Sequence, residues 1–113
     1  MIPVSITNAA HYTWGDACDG WHLLQSDGLS VIQENMPPGT AETMHLHGHA
    51  QQVFYILSGE AGFIVDGKTV TVRAGESLHI PPRIPHAVRN DGPADLRFLV
   101  ISAPKSHGDR VNI

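Results

Sequence analysis

Gly39-Thr40-Ala41-Glu42-Thr43-Met44-His45-Leu46-His47-Gly48-His49-Ala50-Gln51-Gln52, followed by six residues and Gly59, is the stretch on which the reading of this chain turns. Residues i and i+2 of a strand project from the same face. His45 and His47 therefore share a face and can hold one ion together. Gln52 follows five residues after His47, and its amide oxygen can coordinate a metal but carries no charge and cannot act as a base. His86, far down the chain, completes a candidate cage of three imidazoles and one amide with no carboxylate.

Outward from this stretch, glycine and proline punctuate short runs rich in Val, Ile, Leu and Phe. Positions 21–24, 29–35, 53–58, 61–65, 68–72, 77–80, 86–90 and 96–102 read as strands. Asp66-Gly67 between two strand patterns predicts a two-residue hairpin turn. Ser58-Gly59-Glu60, Ala74-Gly75 and Asp91-Gly92-Pro93 mark further turns. No segment keeps a 3.6-residue apolar period over ten residues. About eight short strands at this spacing predict an all-β, antiparallel sandwich or barrel. The expected organisation is one domain: a lead-in over 1–28, a barrel over 29–103 and a polar tail over 104–113 that leaves the barrel.

The bulk composition excludes several classes of function. With 113 residues, a net charge of -4 and 16% charged residues, the chain has no basic stripe to suit a nucleic-acid partner. No apolar run approaches the roughly 18 residues of a membrane span. Met1-Ile2-Pro3-Val4-Ser5 has neither the basic region nor the apolar core of a signal peptide. A single cysteine, Cys18, cannot build an internal disulfide framework. A cytoplasmic protein is expected, without nucleic-acid or membrane partners. The terminal segments are expected to pair with a neighbouring subunit and cover sheet edges, giving a homodimer.

The quoted stretch resembles the first motif of the cupins: a glycine, five residues, His-x-His, three or four residues, glutamate, six residues, glycine. Gln52 takes the glutamate position. Gln51 is the rival, since three intervening residues also occur, but only Gln52 leaves six residues before Gly59. Gly75, then Pro81, His86 and Asn90, resembles the second motif. The family usually has glycine two residues after that proline; here it is Arg83. The resemblance covers roughly residues 39 to 90. It implies a double-stranded β-helix, or jelly roll, with His45, His47, Gln52 and His86 as ligands of one divalent transition-metal ion per chain. Glutamine in place of glutamate leaves the ion's charge uncompensated and lowers affinity for hard ions that prefer carboxylates. Zn or Ni is therefore favoured, with Fe, Cu or Mn behind.

The remaining candidates are assigned plainer roles. His49 is expected in a solvated loop, His79 in a structural role, and His11, His22 and His107 on the surface. Tyr55 falls on the opposite strand face from Gln52. Gln33 is expected to face the cavity. Cys18 is expected to be inert, Arg83 to sit in an exposed turn, and Asp109 and Arg110 to form a docking pair or a solvated tail.

Cupins host many chemistries, so the fold alone does not choose one. The neutral cage favours a metal-dependent enzyme acting as a Lewis acid on a small carbonyl- or enol-type molecule, by isomerase, cyclase or ring-opening chemistry. A dioxygenase using Fe, Ni or Cu is the second reading, and a non-catalytic sensor that binds a ligand through its metal the third. The late strand Leu96-Arg97-Phe98-Leu99-Val100-Ile101 offers no carboxylate after Asp95. No general base stands out, so no catalytic residue is assigned.

Overall fold

Asp66 and Gly67 both take positive φ, 50° and 80°, as a type I′ hairpin turn requires. They join Glu60–Val65 to Lys68–Arg73, with Val65 opposite Lys68. The computed structural model describes residues 1–113 and contains eleven strands and no helix. In chain order they are β1 (Ala10–Trp14), β2 (Cys18–Gln25), β3 (Ser30–Met36), β4 (His45–His47), β5 (Gln51–Ser58), β6 (Glu60–Val65), β7 (Lys68–Arg73), β8 (Ser77–Ile80), β9 (His86–Arg89), β10 (Leu96–Ala103) and β11 (Arg110–Asn112).

The strands form two antiparallel sheets, ordered β1-β2-β3-β10-β5-β8 and β11-β4-β9-β6-β7. From β3 onward the chain crosses from one sheet to the other at nearly every connection, which is the jelly-roll winding. Strict alternation sets the inner faces. On β10, Leu96, Phe98, Val100 and Ser102 are buried while Arg97 is exposed; on β5, Gln52, Phe54 and Ile56 are buried while Gln51, Tyr55 and Leu57 are exposed. Part of the interior is filled by Phe54, Phe63 and Phe98, whose rings pack at centroid distances of 5.0 and 5.9 Å around Phe54. Met36, Ile56, Ile80, Val88 and Leu96 close that core. Burying such side chains contributes about 1.5–3 kcal/mol each.

Three strands lie outside the expected set. β1 forms a hairpin with β2 through Gly15 and Ala17, both at positive φ. β4 has only three residues. The polar tail does not leave the barrel: β11 folds back on β4, with Arg110 opposite His47 and Asn112 opposite His45. The C-terminal segment thus covers an edge of its own sheet.

Arg83 occupies a left-handed turn (φ 66°), and its backbone N–H donates to the His47 carbonyl at 2.7 Å. Its side chain is exposed. A non-glycine residue in this conformation is strained by roughly 1–2 kcal/mol, partly offset by the unfolded-state freedom that glycine adds. Arg83→Gly should therefore raise stability by about 0.5–1 kcal/mol. An upward shift in the urea midpoint checks this; a lower midpoint would contradict it.

Candidate metal centre

His45 lies directly opposite His86 across the β4–β9 pair, and His47 shares the inner face of β4. One nitrogen from each of the three rings lies within 4.8 Å of the others, and all three residues are buried. Each Nδ1 is engaged by a backbone carbonyl: Thr43 for His45 (2.8 Å), Asp109 for His47 (3.3 Å) and Ile84 for His86 (2.9 Å). A carbonyl only accepts, so each Nδ1 is the donor and each Nε2 keeps its lone pair. Burial lowers the pKa of all three rings, that of His45 to about 3. At neutral pH the cluster is therefore three neutral imidazoles.

Gln52 sits on the inner face of β5, opposite Ser102 and Ile80. Its amide nitrogen donates to Ser102 Oγ at 3.0 Å, which turns Oε1 toward His86 Nε2 at 3.1 Å. With His86 protonated on Nδ1, both of these atoms are acceptors. Two lone pairs at that distance repel unless a cation lies between or beside them. In this orientation the amide oxygen faces the ring nitrogens that would share an ion. The donor set therefore fits a divalent transition ion, since neutral imidazole suits Zn, Ni, Cu and Fe. Gln51 lies on the outer face, where its side chain meets His79 at 3.0 Å.

The cluster opens on a cavity of about 540 Å³, lined among others by Tyr12, His22, Glu34, Glu42, His107 and Arg110. This corrects several expectations. His22 lines the cavity half-buried rather than standing on plain surface, whereas His107 is exposed as expected and also borders the cavity. Glu34, not Gln33, turns inward from β3, because Ile32, Glu34 and Met36 share the parity of the buried positions opposite them on β10. The inward alternation Ile32-x-Glu34-x-Met36 was the sequence signal for this carboxylate. Two acidic groups thus stand in a cavity where none was expected. His49 is exposed on a loop and His11 pairs with Asp19 at 2.7 Å on the surface. Cys18 is buried and free, and burial pushes its thiol up.

Glu42 Oε1 accepts from the Val88 N–H (3.3 Å) and lies 3.8 Å from His45 Nδ1, while its Oε2 lies 3.8 Å from Arg110 Nη1. Burial first, and then the charge of Glu34, raises the Glu42 carboxyl to about 8. Burial also raises Glu34 to about 7. These shifts set a pH dependence for the metal-free protein. A carboxyl raised above its unfolded value favours the folded state fully below about 4.3, and that contribution is lost as pH rises through its folded value. Histidines lowered below about 6.5 act oppositely, destabilising the fold as pH falls below that value. The two effects oppose each other between pH 4.5 and 6.5, and only the carboxyls act above it. Metal-free stability should fall by roughly 1–2 kcal/mol between pH 6.5 and 8. Glu34→Gln should remove part of the fall; an identical slope in that variant, by urea denaturation across the interval, would contradict it.

An antiparallel jelly roll with a buried histidine cluster opening on a cavity lined mainly by polar residues is an architecture in which small-molecule sites commonly occur. The profile of the cupin domain matches residues 32–102, and the chain belongs to the cupin family. A curated relative, the oxalate-binding protein of Thermotoga maritima, is 35% identical over 85 residues, covering 71% of this chain and 70% of its own length. An uncharacterized protein of Methanocaldococcus jannaschii, MJ1618, is 32% identical over 81 residues, covering 71% of this chain; the match spans 65% of that relative. Among solved structures, the polyketide cyclase RemF from Streptomyces resistomycificus superposes with a TM-score of 0.84 at 21% identity, covering all of this chain and 85% of that one. No helix is long and apolar enough to cross a membrane.

Proposed function

We propose that His45, His47, His86 and Gln52 hold one divalent transition ion, and that the chain is a metal-dependent enzyme acting on a small carbonyl- or enol-type molecule. The observation that carries this reading is the convergence of three neutral, carbonyl-anchored imidazoles on one point at the edge of the cavity. A divalent ion in this cage would supply Lewis-acid polarisation of a substrate oxygen. The neutral donor set, with no carboxylate among the four, favours Zn or Ni over harder ions. The protein's own part is to bind, orient and move protons. The carbonyls of Thr43, Ile84 and Asp109 fix the rings, Phe54 packs edge-on against His86 at 6.0 Å, and Arg110 stands at the cavity wall to meet a polar or anionic group. Isomerisation, cyclisation or ring opening fits this arrangement; the shared scaffold with a polyketide cyclase supports the cyclase arm at the level of fold.

Metal analysis of freshly purified protein, with oxygen-uptake assays on the same sample, tests the reading. About one Zn or Ni per chain without oxygen uptake supports it. Iron or copper with uptake moves the assignment to a dioxygenase, and no metal under any loading condition sinks both. Gln51→Ala should retain metal and Gln52→Ala should lose it; equal retention refutes the ligand set. A second reading, a binding protein without turnover, is favoured by the oxalate-binding relative. Calorimetric binding of oxalate by the metal-loaded chain, with no product over hours, would promote it.

The reading includes a homodimer in the cytoplasm. On the outer face of the six-stranded sheet, Val31, Val53, Leu99 and Ile101 adjoin the exposed Tyr55 and Leu57, an apolar surface suited to a second copy. A monomer mass in sedimentation at micromolar concentration would sink the dimer. The buried free thiol of Cys18 suits a reducing compartment.

A further inference from the structure

The six-stranded sheet carries an acidic pair that the metal cage leaves unused. Glu34 of β3 lies opposite Gly20 of β2 on one side and Phe98 of β10 on the other. Tyr12 of β1 also lies opposite Gly20. Tyr12 is thus two strands from Glu34, yet its hydroxyl donates to Glu34 Oε2 at 3.0 Å. Gly20 makes that reach possible. A Cβ at position 20 would collide with Tyr12 Cζ and its hydroxyl oxygen, so the ring lies across a strand stripped of side chain at that one point. Tyr12 and Glu34 line the same cavity as His45 and His47.

We propose that Glu34 is the general base and acid of this cavity, with Tyr12 as its positioning residue. The inference rests on the Lewis-acid reading above. Glu34 takes the proton from the carbon beside a substrate carbonyl. The C–H electron pair becomes a C–C double bond and the carbonyl π pair moves to oxygen. Returned to the same carbon, the proton exchanges or inverts that centre; returned to a conjugated carbon, it shifts a double bond. Either way the carboxylate is regenerated and no co-reactant is needed. Tyr12 holds one carboxylate oxygen and leaves the other for the substrate. The substrate class is then a small ketone or hydroxyketone with an acidic α-hydrogen.

The electrostatics support this role. Burial raises Glu34 to about 7, while the Tyr12 hydrogen bond and the Arg110 charge pull it down. Both protonation states are populated near neutrality, as a group that takes and returns a proton requires. Tyr12 is pushed well above its ordinary value by burial and then by Glu34, so it stays a neutral donor. The other titratable or charged groups facing the cavity are His22 on β2, Glu42 before β4, His45 and His47 on β4, His107 in the loop between β10 and β11, and Arg110 on β11. Phe98 and Val100 of β10 add none. Glu42 is held by Val88 and faces Arg110, which leaves Glu34 as the carboxyl free to serve substrate.

The test uses the zinc-loaded full chain with hydroxyacetone in D2O, following loss of the substrate's α-proton signals by NMR. Wild type should catalyse exchange. Glu34→Gln should slow it at least about 100-fold, with zinc affinity within about threefold of wild type. Tyr12→Phe should slow it about tenfold and move its pH midpoint upward, because the lost hydrogen bond no longer lowers Glu34. Gly20→Ala, which displaces the Tyr12 ring, should copy Tyr12→Phe. Independently of turnover, carbon NMR of glutamate-labelled protein should show a carboxyl titrating near 7 that is absent in Glu34→Gln. Wild-type exchange by zinc-bound Glu34→Gln overturns the pair alone, as does the absence of that near-neutral carboxyl. A wild type that binds zinc but exchanges nothing overturns the Lewis-acid reading and the pair with it.

Discussion

Replacing His86 with alanine is expected to abolish metal retention and to destabilise the barrel at once. The ring is buried, its Nδ1 donates to the Ile84 carbonyl, and its centroid lies 4.4 Å from that of His45 and 6.0 Å from that of Phe54. Alanine removes one of four proposed ligands and leaves a void between the cluster and the aromatic core. Losing a partner that only orients a ligand costs about 10–100-fold in affinity; losing the ligand itself should cost more, on the order of 1000-fold. The void should cost about 2–4 kcal/mol. Chelator competition for zinc measures the first effect and urea denaturation of the metal-free protein the second. Added zinc should no longer raise the melting temperature, because stabilisation by a bound ion scales with its affinity. His79→Ala is the matched control: that ring is exposed on the outer face, against Gln51. Wild-type zinc affinity in His86→Ala would overturn the proposed cage.

Asp109→Ala should be the most damaging substitution outside the cluster. The carboxylate gathers three backbone donors from the turn after β4: Gly48 at 3.1 Å, His49 at 2.9 Å and Ala50 at 2.9 Å. Its backbone carbonyl also receives His47 Nδ1 at 3.3 Å. One residue therefore fixes the turn between two proposed ligands and the tautomer of one of them. Alanine keeps the carbonyl but strands the three donors and loosens β11. The expected loss is about 2 kcal/mol, below the sum of three charge-assisted bonds because the clamp is partly in water. Zinc affinity should fall about 10–100-fold through the freed His47. Asp109→Asn, which keeps one acceptor oxygen, should fall between. The three backbone bonds hold this carboxyl below the usual carboxylate range. Its contribution is present above the unfolded value of about 3.9 and is lost as pH falls through the folded one. A variant with unchanged urea midpoint and unchanged zinc affinity would show the clamp to be incidental.

The parts of the site legible in the sequence are those that local geometry controls. The i, i+2 spacing of His45 and His47 puts both rings on one face wherever a strand forms. Gln52 is preferred to Gln51 only through the spacing that resembles the cupin motif, and the structure puts the two on opposite faces of β5. The Asp66-Gly67 turn was readable because two successive positive φ angles suit only a few residue types. The differences between sequence and structure have two causes. Gln33, expected to face the cavity, lies on the outer face and its neighbour Glu34 turns inward, because a one-residue shift of parity exchanges the two faces of a strand. β1 and β11 are short, largely exposed strands, and such strands carry little alternation to mark them in sequence. Their pairing is decided by the edges they meet.

By itself, then, the sequence determined the class of fold, the strands that form its core and the shared face of the paired histidines, because turn chemistry and two-residue periodicity act over a few neighbouring positions. Only the tertiary structure decided what surrounds the histidines. Tyr12 reaches Glu34 across 22 positions of sequence, over a glycine that leaves room for its ring. Asp109 reaches His47 across 62, on a tail that looked free. Those meetings depend on the order of strands within each sheet and on the tail's return to the β4 edge. Such order is set by the joint burial of all strands at once, and no local stretch of residues encodes it.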